Sequence, residues 1–136
     1  MPVRLGWAVG ALLLVAVPAQ AMPVREFLAR WDKLNKLGEM ARLDPDAGKL
    51  IQELGGIVIG YRAAVDAAAA AGKPIACPPP KGQAKFESGP LIAHLKALPP
   101  AEQDIELKDA VYAFMNQAYP CPSPSSPAGS AAAGTR

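Results

Sequence analysis

The sequence predicts a small all-α domain: a bundle of about four helices with one long central helix and one disulfide. Three observations carry this. Apolar residues recur at spacings of three and four in successive segments, the mark of a helix with one buried face. Proline separates those segments, and no stretch combines strict alternation with β-branched enrichment, so no sheet is expected. The chain has 136 residues, two Cys and one His, a size that fits a single domain and leaves a single intramolecular cysteine pairing.

Both ends are expected to lie outside the fold. Arg4 precedes the apolar run Leu5–Val17, Pro18 breaks that run, and Ala19-Gln20-Ala21 places small residues at the cleavage-determining positions. This is the three-part layout of a secretory signal peptide, residues 1–21, with cleavage after Ala21 and export to the periplasm. The alternative is an uncleaved anchor, but the run is shorter than the roughly 20 residues that span a bilayer. No Cys follows the cleavage point, which argues against a lipid anchor, so no membrane contact is expected after cleavage. Residues 122–136, PSPSSPAGSAAAGTR, hold no large apolar side chain. Such a segment buries too little surface to offset its ordering entropy and reads as a disordered tail. The domain is therefore residues 22–121.

Within it, Val24, Phe27, Leu28, Trp31, Leu34 and Leu37 form the stripe of a first helix, with Pro23 in its first turn and Gly38 as its stop. Glu26 with Arg30, and Asp32 with Lys36, are favourable pairs four apart. Asp44-Pro45-Asp46 starts a second helix: Asp44 caps, Pro45 presets φ, and Asp46 favours the positive end of the dipole. Leu50, Leu54, Ile57, Val58, Tyr61, Val65 and Ala68 give this helix its stripe, and Gly72 and Pro74 end it. It is long enough to be the spine of the domain. Gly56 and Gly60, four apart, predict a face where another backbone approaches closely; a kink at Gly55-Gly56 is the other reading. A Pro-rich loop runs from Lys73 to about Gly89, held extended by Pro78, Pro79 and Pro80. Leu91, Ile92, Leu95 and Leu98 mark a short third helix ended by Pro99-Pro100. Asp104 is expected to cap a fourth helix with the stripe Leu107, Ala110, Val111, Phe114, Met115 and Ala118, stopped by Pro120.

In an exported chain an even cysteine count favours a disulfide, here Cys77 to Cys121. The rival is a metal or redox pair, but Cys77, Cys121 and His94 give at most three soft ligands without close spacing, and no CxxC is present. No metal or other cofactor is expected. A net charge of +2 gives no electrostatic case for nucleic acid. There is no phosphate-binding glycine loop, HExxH, calcium loop or GxSxG. His94, the one side chain that ordinarily titrates near neutrality, is expected to be packed or on the surface rather than catalytic. Arg62 and Asp66 are expected to form an exposed pair four apart. Lys73, Lys81 and Lys85 punctuate the Pro-rich loop and are candidates for meeting a protein partner; a merely solvated loop is the plainer alternative.

The order of short motifs carries more. PVREFLARWDKL is followed by GIVIGYRAAVDAA, ACPPPKG, LIAHLKALPP and AVYAFMNQAYPC. Gly60-Tyr61, Cys77-Pro78, Pro99-Pro100 and Tyr119-Pro120-Cys121 occur in the order of the Rap/Tai family of immunity proteins to type VI secretion amidase effectors. The chain resembles that family over most of residues 23–121. It has Val58 and Ala64 where members often carry Cys and Gly, and Leu98-Pro99 where they often carry His-Pro, so it resembles a divergent member. The resemblance implies an all-helical periplasmic binder, often a homodimer, that covers the cleft of a peptidoglycan amidase and needs no catalytic residue. Three readings follow: an immunity protein of this kind, a stand-alone periplasmic helical protein with another partner, and an enzyme. The first is the one the motif order favours.

Overall fold

A computed structural model of the protein describes residues 21–84 and 87–123. The expected signal peptide but for Ala21, Lys85 of the loop, and the expected tail from residue 124 onward lie outside the described residues. The described chain is all-α, with four α-helices: α1 (Val24–Leu37), α2 (Pro45–Ala70), α3 (Ser88–Ala97) and α4 (Leu107–Ala118). Short 3-10 helices at Gly38–Leu43 and Glu102–Asp104 fill two of the connections. Among the described residues there is no strand, and no helix is long and apolar enough to cross a membrane.

Phe27 and Val24 of α1, Leu91 and Leu95 of α3, and Leu107 and Val111 of α4 are the largest side chains cut off completely from solvent. Burying one such side chain contributes on the order of 1.5–3 kcal/mol. α1 and α4 each pack against the other three helices, so the centre of the core lies between them. α2 is the long helix the sequence predicts, 26 residues, and it packs on α1 and α4 through Leu50, Ile57, Tyr61 and Val65. None of the most deeply buried side chains comes from it. The opposite side of α2 carries Ile51 and Ile59, 73% and 74% exposed.

The boundaries of α2 follow local rules. The Asp46 N–H donates to Asp44 Oδ1 at 2.8 Å, the cap the sequence predicts. Lys33 of α1 donates to Asp44 Oδ2 at 2.9 Å and to Asp46 Oδ2 at 3.1 Å. The Lys33 hydrogen bond, with the Asp46 N–H behind it, holds the Asp44 carboxyl below its ordinary range, and Lys33 is raised in turn. At the other end the Gly72 N–H donates to the Ala69 carbonyl and the Lys73 N–H to the Ala68 carbonyl, both at 3.0 Å. That is a Schellman stop, with Gly72 at φ 73° supplying the left-handed residue.

Several expectations are corrected by contacts between elements. Asp104 does not cap α4; the 3-10 helix ends there, and α4 begins at Leu107. The intervening residues are extended because the Leu107 N–H donates to the Met22 carbonyl at 2.8 Å and the Val24 N–H to the Ile105 carbonyl at 3.0 Å, an antiparallel bridge about Pro23 and Glu106. Asp104 pairs instead with Arg25 Nε at 3.0 Å. Pro23 is the residue that precedes α1 rather than a member of its first turn. Glu26 does pair with Arg30, but Asp32 takes Lys96 of α3 at 2.7 Å in place of Lys36. The third helix starts at Ser88, earlier than the loop boundary read from the sequence, because Pro90 lies in its first turn, where its missing N–H has no partner to lose. α2 runs unbroken through Gly55-Gly56. What approaches Gly60 is a side chain, not a backbone: a Cβ there would lie 2.9 Å from Tyr112 Oη, whereas Gly55 and Gly56 face open space.

This difference is testable. Replacing a helical glycine by alanine adds up to about 1 kcal/mol of helix propensity. Gly55→Ala should raise stability by about 0.5–1 kcal/mol in urea titrations. Gly60→Ala should fall short of that gain, because Tyr112 must be displaced, and should alter the near-ultraviolet circular dichroism of the tyrosines.

Candidate functional site

The loop that follows α2 is the segment the sequence singles out for partner contact, and it is fastened at three points. Cys77 is joined to Cys121, just beyond α4, by the disulfide. The Cys77 N–H donates to the Tyr119 carbonyl at 2.9 Å. Arg62 of α2 donates from Nη2 to the Pro79 carbonyl at 3.0 Å. Just before these anchors Ala76 is buried at 2% exposure. Beyond them the Gln83 N–H donates to the Pro80 carbonyl at 3.0 Å, closing a turn whose third residue, Gly82, has φ 87°. A side chain at that position of a type II turn would be strained, which is why glycine stands there.

The fastened loop roofs a cavity of about 110 Å³. Val58, Tyr61 and Arg62 of α2 form one wall, Met115 and Tyr119 at the end of α4 another, and Pro78, Gly82 and Ala84 the roof. The walls are mainly apolar, and Arg62 is the charged residue among them. Tyr61 is 2% exposed and donates from its hydroxyl to Asn116 Oδ1 at 3.0 Å, which locks α2 to α4 directly beside the cavity. Its ring meets that of Tyr112 edge to face, with centroids 5.2 Å apart. Burial pushes the Tyr61 phenol above its ordinary value. A second, more open groove of about 330 Å³ lies between α2 and the start of α4, with Gly56 and Gly60 on its floor and Glu53, Glu106 and Lys108 along it.

The residues read from the sequence are distributed as follows. Cys77 and Cys121 form the predicted disulfide. Lys73 follows the glycine stop of α2, and Lys81 is the second residue of the Pro80–Gln83 turn; both are exposed. Lys85 lies outside the described residues. The Arg62–Asp66 pair does not form: the ion pairs among the described residues do not include it, and the Arg62 guanidinium turns to the loop carbonyl instead. A fixed carbonyl within reach competes well with an exposed carboxylate that gains little in water. His94 is half-buried and lies against Phe114, with ring centroids 5.2 Å apart. No group of three or more His, Cys, Asp or Glu side chains among the described residues is placed to hold a metal ion.

Sequence reasoning places Val58, Tyr61 and Met115 on core-facing stripes and misses the cavity they share with Arg62 and Tyr119. One signal was present: residues 58, 61 and 62 lie one turn apart on α2, and 115 on α4 is four residues before 119, the residue that follows the helix, close to the Cys that fastens the roof.

Two measurements test the anchoring. Reducing the disulfide, or replacing both cysteines by alanine, should lower unfolding stability by up to about 4 kcal/mol, the chain-entropy estimate for a loop of this length. The Cys77 amide should lose hydrogen-exchange protection at the same time. Tyr61 gives a pH dependence of definite sign. The fold favours the neutral phenol, so its contribution is fully present below the ordinary tyrosine value, about pH 10. It is lost as the pH rises through the raised folded value. Tyr61→Phe should flatten that alkaline loss in stability-against-pH curves.

Compared with known protein families, curated proteins and solved structures, the chain shows no match in any of the three.

Proposed function

We propose that the protein is an exported binding protein that neutralises a peptidoglycan amidase effector by covering its active-site cleft. One observation carries this reading beyond the motif order that resembles the Rap/Tai family. The Cys77 loop is held by a disulfide, a backbone hydrogen bond and the Arg62 guanidinium, it borders an apolar cavity, and its Lys73 and Lys81 are exposed to solvent. A surface fixed before contact loses little conformational entropy on binding, which favours a partner that is occluded rather than transformed. Proline at 78, 79 and 80 adds to that preorganisation. On this reading the protein acts in the periplasm, needs no cofactor and has no reaction of its own. Its cations serve to attract an acidic rim on the amidase.

The test is rescue. The full chain is co-expressed with a candidate amidase directed to the periplasm, and lysis and complex formation are scored. The expected result is survival, a complex that co-purifies, and inhibition weakened about tenfold when Lys73 and Lys81 are both changed to Glu. A chain that folds, is exported and neither binds nor protects against any amidase encoded beside it overturns the reading.

A further inference from the structure

We propose that the cavity beneath the Cys77 loop is the receptor for one aromatic side chain of the protein partner, and that Arg62 selects a partner segment in which a carboxylate adjoins that aromatic. The inference rests on the reading that the partner is a protein, and it names the chemistry that partner must present.

Size comes first. About 110 Å³ is well below the roughly 300–1,000 Å³ of sites that enclose drug-sized ligands, and it suits a single side chain. The lining then selects the kind of side chain. Tyr61 and Tyr119 contribute aromatic side chains, Met115 a polarizable thioether, and Val58, Pro78 and Ala84 complete an apolar surround. Aromatic rings gain from aromatic and sulfur contacts beyond the area they bury. Charge is the third element. Arg62 lines the cavity and spends Nη2 on the Pro79 carbonyl. It takes part in no ion pair among the described residues, and neither do Lys73 and Lys81. A guanidinium fixed at one nitrogen by a carbonyl keeps its remaining donors aimed in a set direction, the arrangement that suits a carboxylate. An apolar socket with a cationic edge therefore matches an aromatic-acidic pair on an extended segment.

The site can be read with blocked dipeptides. The disulfide-bonded full chain is titrated with Ac-Phe-Asp-NH2, Ac-Phe-Lys-NH2 and Ac-Ala-Asp-NH2 while backbone amide shifts are followed by NMR. Ac-Phe-Asp-NH2 should move the amides of Val58, Tyr61, Arg62, Gly82, Met115 and Tyr119, with an affinity about tenfold above the other two. Arg62→Gln should bring the Phe-Asp and Phe-Lys peptides within about twofold of each other, while Arg62→Lys should keep part of the preference. Should Arg62→Gln loosen the loop, as reported by the Cys77 amide, Ala84→Trp supplies a second variant: it fills the cavity while keeping the Arg62 guanidinium and should abolish the response. Equal responses to all three peptides, or none, overturn the proposal. A chain that neutralises an amidase yet ignores the peptides refutes the cavity alone. One that takes the Phe-Asp peptide yet ignores every amidase refutes the amidase reading and leaves the cavity assignment standing.

Discussion

The Cys77–Cys121 bond is the covalent tie between two segments otherwise joined only by the Cys77–Tyr119 backbone hydrogen bond and the packing around it. One is a Pro-rich loop, which cannot form a helix of its own. The other is the chain just past α4, where Pro120 has already ended the helix. Once they are joined, the Cys77 amide reaches the Tyr119 carbonyl and the loop lies across the ends of α2 and α4. The roof of the cavity, the exposure of Lys81 and the hydrogen bond from Arg62 to Pro79 all follow from that placement. In the unfolded chain the same bond closes a loop with a sequence separation of 44, so it also restricts the competing ensemble.

α4 is the element through which the remaining order is transmitted. Its first residue is fixed by a backbone bond to Met22, its inner face is buried against α1 and α3, and its last turn carries Asn116, the partner of Tyr61. Tyr112 lies over Gly60 and meets Tyr61 edge to face. α2, though twice as long, contributes a wall and a set of capped ends rather than the centre of the core. Its length serves to carry Arg62 out to the loop while Asp44 and Asp46 stay tied to α1 through Lys33.

Local contacts were legible in the sequence and distant ones were not. The Asp44 cap, the glycine stops at 38 and 72 and the Glu26–Arg30 pair each involve residues within one turn of each other, where the spacing already fixes the geometry. Asp32, Asp104 and Arg62 were assigned local partners by the same logic, and all three found partners elsewhere: Lys96, Arg25 and the Pro79 carbonyl. An exposed pair four residues apart gains only a few tenths of a kcal/mol, so a neighbour brought near by packing displaces it readily. The bridge from Met22–Val24 to Ile105–Leu107 gave no sequence signal because it is made by backbone groups that every residue carries.

The sequence by itself determined the all-α class, the extents of α1 and α2 to within a residue or so, the apolar stripes and the one cysteine pairing. Periodicity, capping chemistry and cysteine arithmetic are properties of the chain taken a few residues at a time. Tertiary structure alone decided that α1 and α4 hold the centre, that Tyr112 fills the space above Gly60, and that Arg62 faces a loop carbonyl over an apolar cavity. Each of these depends on how helices far apart in sequence are set against one another. That arrangement is chosen by the burial of the whole core, which no short window of residues contains.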